Sequence, residues 1–260
     1  MTNALSNASD DLYRSANIQR QTFCLARSPE ELCQAFRLVF QSYLQAGLAI
    51  EKPSGMRLTP HHLLPTSEVL LAKVGNTVTT TLSMFGDGYL GLPMDSMYSV
   101  ETRRLRDEGL RLAEIGCLAD RRDSQIRFLK TFAQLGRLLA QVARSRETDG
   151  FVVATHPKHA RLYKRILGFR QIGDLSDCPY ANGNPAVALV LKFEEHEGTP
   201  LHDLYFGDPI PQDELAPYRW EPDTRKFFKQ ILDRDNKISS LSGIQGYYNW
   251  AVLTNTLTPS

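Results

Sequence analysis

The sequence predicts an α/β domain built on one mixed sheet, and three observations lead there. Segments with helical repeats of apolar residues alternate with short β-branched runs. Two of those runs meet at Gly75-Asn76, the mark of a tight antiparallel hairpin. Later, a strand, a long helix and a second strand follow in succession, which calls for a right-handed parallel crossover.

The elements can be justified in order. "FCLARS" reads as a short strand. "SPEELCQAFRLVFQSYLQAG" opens with Ser28 as N-cap, Pro29 in the first turn and Glu31 as capping-box partner. Leu32, Phe36, Val39, Phe40 and Tyr43 then recur at helical spacing until Gly47 stops the run. "AIEKPSGMRLTPHHLLPTS" is a proline-rich loop with room for a short helical turn. "EVLLAKVGNTVTTTLSMFGDG" is the hairpin, closed by Gly86-Asp87-Gly88, and "PMDSMYSVETRRLRDEGL" has helical character. "RLAEIGCLAD" reads as a buried strand. The long helix follows, with Phe128, Phe132, Leu135, Leu139 and Val142 spaced by four and three. After "TDG" come strand "FVVAT", helix "PKHARLYKRIL", a turn at Gly168, strand "FRQIG", polar loop "DLSDCPYANGNP" and strand "AVALVLKF".

The chain thus divides into a flexible N-terminus (residues 1–20), a catalytic-size domain (21–197) and an appendage (198–260) with one helix in "TRKFFKQILD". Composition narrows the function classes. Thirty lysines and arginines against 29 acidic residues leave a net charge of +1, so no global field recommends nucleic acid as a partner. The four cysteines form no CxxC pair and lie near no histidine, while His156 with His159 and the adjacent His61-His62 have no acidic cluster beside them. Neither a disulfide framework nor a metal site is expected. The polar first twenty residues, and the absence of any run of roughly 18 apolar residues, point to a cytoplasmic protein with no integral membrane segment.

"HPKHARLYKRILGFRQIG" resembles the segment of the GNAT acyltransferase superfamily in which a tyrosine-bearing helix ends in a Leu-Gly-Phe turn, here Leu162, Tyr163, Leu167, Gly168 and Phe169. "GLPMDSMYSVETRRLRDEGLRLAEIGCLAD" together with "NGNPAVALVL" resembles the long-chain N-acyl amino acid synthases within that superfamily, over roughly residues 30 to 195. The implied fold is a GNAT-type mixed, mostly antiparallel sheet with a splayed parallel pair and flanking helices. A more distant likeness to acyl-homoserine-lactone synthases breaks down at Gly116 and Cys117, where those enzymes carry serine and arginine. GNAT enzymes usually open the long helix with a glycine-rich loop whose bare N–H groups hold the diphosphate of coenzyme A. "ADRRDSQIRFLK" contains no glycine, so coenzyme A should bind poorly. The resembled synthases share that loss and draw on the acyl-phosphopantetheine of an acyl carrier protein, with no bound cofactor. An acidic carrier needs a basic surface, which Arg121, Arg122, Arg127, Arg161, Lys164 and Arg165 can supply, although charge runs of this kind usually just solvate helix faces.

The implied reaction moves a long-chain acyl group to the α-amino group of a free amino acid. That amine arrives as ammonium and must lose a proton. Glu114, a carboxylate inside an apolar strand, is suited to be the base because burial raises its pKa. Strand alternation would put Leu112, Glu114, Gly116 and Leu118 on one face and Ala113, Ile115, Cys117 and Ala119 on the other, with Gly116 leaving room for substrate. The bland alternative is a structural bridge from Glu114 to Arg104. Tyr163 stands where many GNAT enzymes keep a general acid, or is simply packed on the sheet. Glu101 and Arg104, one helical turn apart, would fix substrate or orient Glu114, or else pair on the surface, and Arg104 alternatively would clamp the substrate carboxylate. Cys117, His156, Tyr180 and Asn182 are candidate lining residues, though turn geometry accounts for the last two as well. Two rival readings remain: a signal synthase or other N-acyltransferase, and a non-catalytic module binding acyl groups or carrier protein on the same scaffold.

Overall fold

The computed structural model describes residues 21–121 and 125–241, without the side chains of 125–127 and 238–241. The segment expected to form a flexible N-terminus therefore lies outside the described residues. Seven strands form one sheet: β1 (Gln21–Leu25), β2 (Ser67–Val74), β3 (Thr77–Gly86), β4 (Leu112–Asp120), β5 (Gly150–Thr155), β6 (Arg170–Cys178) and β7 (Asn184–Lys192). Their order is β1-β2-β3-β4-β5-β7-β6, and every neighbouring pair is antiparallel except β4 with β5. This is the mixed, mostly antiparallel sheet that the hairpin and the crossover predict.

Among the described residues four α-helices precede β6: α1 (Pro29–Gln45), α2 (Asp95–Asp107), α3 (Gln125–Ser145) and α4 (Pro157–Ile166). α1 starts as its sequence requires, with the Ser28 hydroxyl accepting from the Glu31 N–H at 3.2 Å, while Glu31 reaches back to the Arg27 N–H at 2.7 Å. The sheet separates two cores. Against α3 and α4, Leu70, Leu82, Ala113, Ile115, Phe151 and Leu189 pack with Leu135, Leu139 and Tyr163. On the other face, α1 covers β2–β4 through Phe36 and Val39, and α2 covers β4–β7 through Tyr98 and Leu105.

Three features depart from the sequence reading. "DLSDC" is not loop but the second half of β6, an edge strand whose outer side faces solvent. Such a strand has no core on that side to impose apolar alternation, so its composition looks like loop.

Residues 198–260 hold more than one helix: α5 (Pro200–Phe206), α6 (Gln212–Leu215) and α7 (Pro222–Leu241). They are woven into both cores, Tyr205 and Leu215 beside α3, and Phe228, Ile231 and Leu232 beside α1. The prolines that suggested loop are helix starters, since Pro200 and Pro222 open α5 and α7 at positions where a missing N–H costs nothing.

The third departure lies in β4, where strict alternation fails. Thr81 faces Ala119 but Ser83 faces Gly116, so β4 carries one extra residue, a β-bulge, and Cys117 sits there in the left-handed region at φ 52°. Leu118 consequently joins Ala113 and Ile115 in the α3 core, and Cys117 joins Ala119 beneath α1. Cys117, Leu118 and Ala119 thus all lie on the face opposite to the one that a regular strand assigns them.

Candidate active site

The site begins where β4 and β5 part. Their ladder has three rungs, Leu112 with Gly150, Ala113 with Phe151 and Glu114 with Val152, after which β4 runs on to Asp120 without β5. Beyond Glu114 the β5-facing backbone groups of β4 have no strand partner on that side, which leaves polar groups open to a ligand.

Glu114, at the last rung, is 3% exposed. Its Oε2 accepts from the Met94 N–H at 2.7 Å and its Oε1 from the Tyr180 hydroxyl at 3.4 Å. Burial pushes its carboxyl from the ordinary 4.5 up to about 8. The nearby Asp95 charge adds to that rise, and the two hydrogen bonds oppose it. Among the described residues no cation pairs with it.

The donors are held by their own networks. Asp95, at the start of α2, accepts from the Leu92 N–H at 2.8 Å, from Thr102 and from Arg106 Nη2 at 2.7 Å, and Arg106 also grips Asp87. These bonds tie the β3–α2 connection to α2 and so aim the Met94 N–H at Glu114. Tyr98, where α2 kinks, places its hydroxyl 2.9 and 2.8 Å from the carbonyl oxygens of Asp174 and Ala186, and its ring lies over Gly173, where no Cβ would fit. This locks α2 to the β6–β7 hairpin that carries Tyr180.

The candidates from the sequence are distributed unevenly. Glu114, Cys117 and Tyr180 come together. Cys117 is buried, and burial raises its thiol while the nearby Arg57 and Ser83 side chains oppose the rise. Gly116 lies in the same stretch, but the room above it is taken: a Cβ there would stand 3.0 Å from the Phe85 ring, so the missing side chain admits Phe85 rather than substrate. Arg104 points to solvent, 84% exposed and 3.6 Å from Glu108, because the α2 face that packs on the sheet carries Thr102 and Leu105. It is neither a bridge to Glu114 nor a carboxylate clamp. Glu101 makes no hydrogen bond or ion pair to Glu114 either.

Tyr163 is packed edge-on against Phe132 and Phe169, and burial pushes its phenol up to about 12. His156 caps α4, its Nδ1 accepting from the Lys158 N–H at 3.2 Å. Asn182, in the left-handed region, reaches away from the site and donates to the Gly47 carbonyl at 3.3 Å.

Of the basic candidates, Arg121, Arg161, Lys164 and Arg165 are exposed. Arg121 follows the splayed end of β4, and the other three lie on the helix after the splayed end of β5. Arg122 lies outside the described residues, as does the Arg127 side chain. No group of three His, Cys, Asp or Glu able to hold a metal occurs among the described residues.

Sequence reasoning missed Arg57, Asp95 and Arg106. Arg57 stands in the proline-rich connection after α1, donates to the Tyr180 carbonyl and lies 4.7 Å from the centre of the Tyr43 ring. Such connections have no periodicity from which direction can be read. Between Asp87 and Arg106 the acidic residues all precede the arginines, and that order declares no network.

A sheet whose one parallel pair parts beside a buried carboxyl group is the architecture that the resemblance to acyltransferases implies. A model of the N-acyl amino acid synthase FeeM family matches residues 34–192, and the chain belongs to that family. The structure of FeeM, an N-acyl amino acid synthase from uncultured soil microbes, is similar to it at 29% identity and TM-score 0.59, over 70% of this chain and 95% of that one. The AHL synthase LasI shares the fold at 13% identity and TM-score 0.53, over 74% of this chain and 96% of that one. No curated protein sequence matches.

Proposed function

We propose that this N-acyltransferase moves a long-chain acyl group from an acyl carrier protein to the α-amino group of an amino acid, with Glu114 as the general base. The observation that carries the reading is Glu114 itself, a carboxyl buried at the point where β4 and β5 part, with its pKa near 8. A base is most effective when its pKa lies near the working pH.

In the proposed step Glu114 takes a proton from the substrate ammonium. The freed amine attacks the thioester carbonyl, a C–N bond forms, the C–S bond breaks, and the nitrogen's second proton is balanced by protonation of the leaving thiolate. Unpartnered β4 N–H groups beyond Glu114 would hold the carbonyl oxygen as it gains charge. The carrier as donor is supported by "ADRRDSQIRFLK", which offers no glycine cradle for a diphosphate, and by exposed Arg121, Arg161, Lys164 and Arg165 around the splayed end.

The test incubates the protein with acyl carrier protein thioesters of several chain lengths and mixed amino acids, with acyl-coenzyme A in parallel. N-acyl amino acids should appear by mass spectrometry, and faster from the carrier. No product from any thioester would end the proposal, and faster turnover of acyl-coenzyme A would end the carrier part of it.

A further inference from the structure

We infer that Arg57 forms the anion site that receives the α-carboxylate of the acceptor amino acid, on the opposite side of Tyr180 from Glu114. This rests on the functional reading above and names the acceptor chemistry that the same site requires.

Four observations meet at this residue. Tyr180 touches both groups: its hydroxyl donates to Glu114 Oε1, and its carbonyl accepts from Arg57 Nη2. Cys117, on the β4 bulge, lies within electrostatic reach of both the Arg57 guanidinium and Glu114, so the two groups lie near one stretch of β4. Among the described residues Arg57 has no carboxylate partner; its surroundings are the Tyr43 ring, the Tyr180 carbonyl and the Cys117 thiol. Its Nε is buried and makes no hydrogen bond.

A partly buried guanidinium with no counter-ion and with a buried, unused Nε donor carries a desolvation cost, and the cost is recovered when an anion arrives. Guanidinium presents paired N–H groups that match a carboxylate in two-point fashion. An α-amino acid carries its cation and its anion on one carbon. The arrangement on either side of Tyr180 is its complement, with a carboxylate for the ammonium and a guanidinium for the carboxylate. An amine lacking the carboxylate would leave Arg57 unpaired, which is how a site that bonds a substrate group rejects the analogue without it.

The test measures initial rates with an amino acid acceptor, its α-carboxamide and its decarboxylated amine. For the wild type, KM should be about 10–100-fold higher for the last two. Arg57→Gln should raise KM for the amino acid by a similar factor, change KM for the decarboxylated amine far less, and leave the pH profile set by Glu114 in place. Arg57→Lys, which keeps the charge and loses the fork, should fall between. Equal KM for amino acid and carboxamide in the wild type needs no variant to fold and would overturn the inference, as would an unchanged KM in Arg57→Gln.

Calorimetry without donor, using each common α-amino acid in turn, separates this inference from the reading beneath it. If no acceptor is acylated, the functional proposal fails. Binding of an amino acid that is lost in Arg57→Gln would still support the anion site, and absence of binding to any amino acid would overturn it.

Discussion

At the scale of single residues, the site turns on the cost of burying Glu114. Replacing it with glutamine keeps the shape and removes the base, so turnover should fall by about 10²–10⁴-fold with the fold intact by circular dichroism. In the wild type the rate should rise with pH through about 8, where the carboxyl becomes a base. The same group makes stability depend on pH. Its folded-state pKa lies above the ordinary 4.5, so the folded protein holds a proton that the unfolded chain has already released. The stabilisation is complete below about 4.5 and is lost as pH rises through about 8. Melting curves of Glu114→Gln and wild type, followed from pH about 5 to about 9, should therefore diverge in favour of the variant. Glu114 was legible in the sequence because a carboxylate inside an apolar run stands out whatever surrounds it. Its partners were not legible. Arg104 was the nearest arginine by helical reasoning, but the donors are a backbone N–H of Met94 and the hydroxyl of Tyr180, sixty-six residues away in sequence.

At the scale of elements, periodicity decides what can be read. α1 and α3 each bury one face and declare it, and the β2–β3 hairpin, buried on both faces, declares itself by its β-branched runs and its turn. The second half of β6, on the sheet edge, buries little and reads as loop. The β4 bulge is invisible for a different reason: "EIGCLAD" alternates acceptably, and only the register against β3 reveals the extra residue. Elements also meet with narrow tolerances where the site is built. Gly150 opens β5 on the first rung of the parallel pair, and a Cβ there would lie 2.4 Å from the Leu191 carbonyl oxygen. Gly150→Val should destabilise the fold by about 1–3 kcal/mol or more in denaturant titrations, because backbone must move. The protected amides of β5 and β7 should be the first to exchange faster.

At the scale of the whole molecule, the C-terminal helices join the layers. Arg146, just after α3, donates to buried Glu68 of β2 at 2.7 Å and to the Leu215 carbonyl of α6 at 2.8 Å. Despite that partner, burial raises the Glu68 carboxyl, so the pair sits where desolvation is severe. Arg146→Met should cost about 3–5 kcal/mol by chemical denaturation, since it leaves Glu68 buried alone, and Arg146→Met with Glu68→Leu should recover much of the loss. The outer surface offers a second prediction. Reversing Arg161, Lys164 and Arg165 to glutamate should raise KM for the carrier-bound donor, most at low salt, and leave the calorimetric binding of free amino acid unchanged. The sequence by itself determined the sheet, its crossover, the family resemblance and the position of the buried carboxylate, because hydrophobic period and an out-of-place charge are local signals. Only the tertiary structure decided which side chains and N–H groups surround Glu114, that Arg57 rather than Arg104 meets the Tyr180 that touches it, and that the last helices belong to both cores. Those outcomes depend on contacts between segments far apart in the chain, and no local pattern encodes a direction in space.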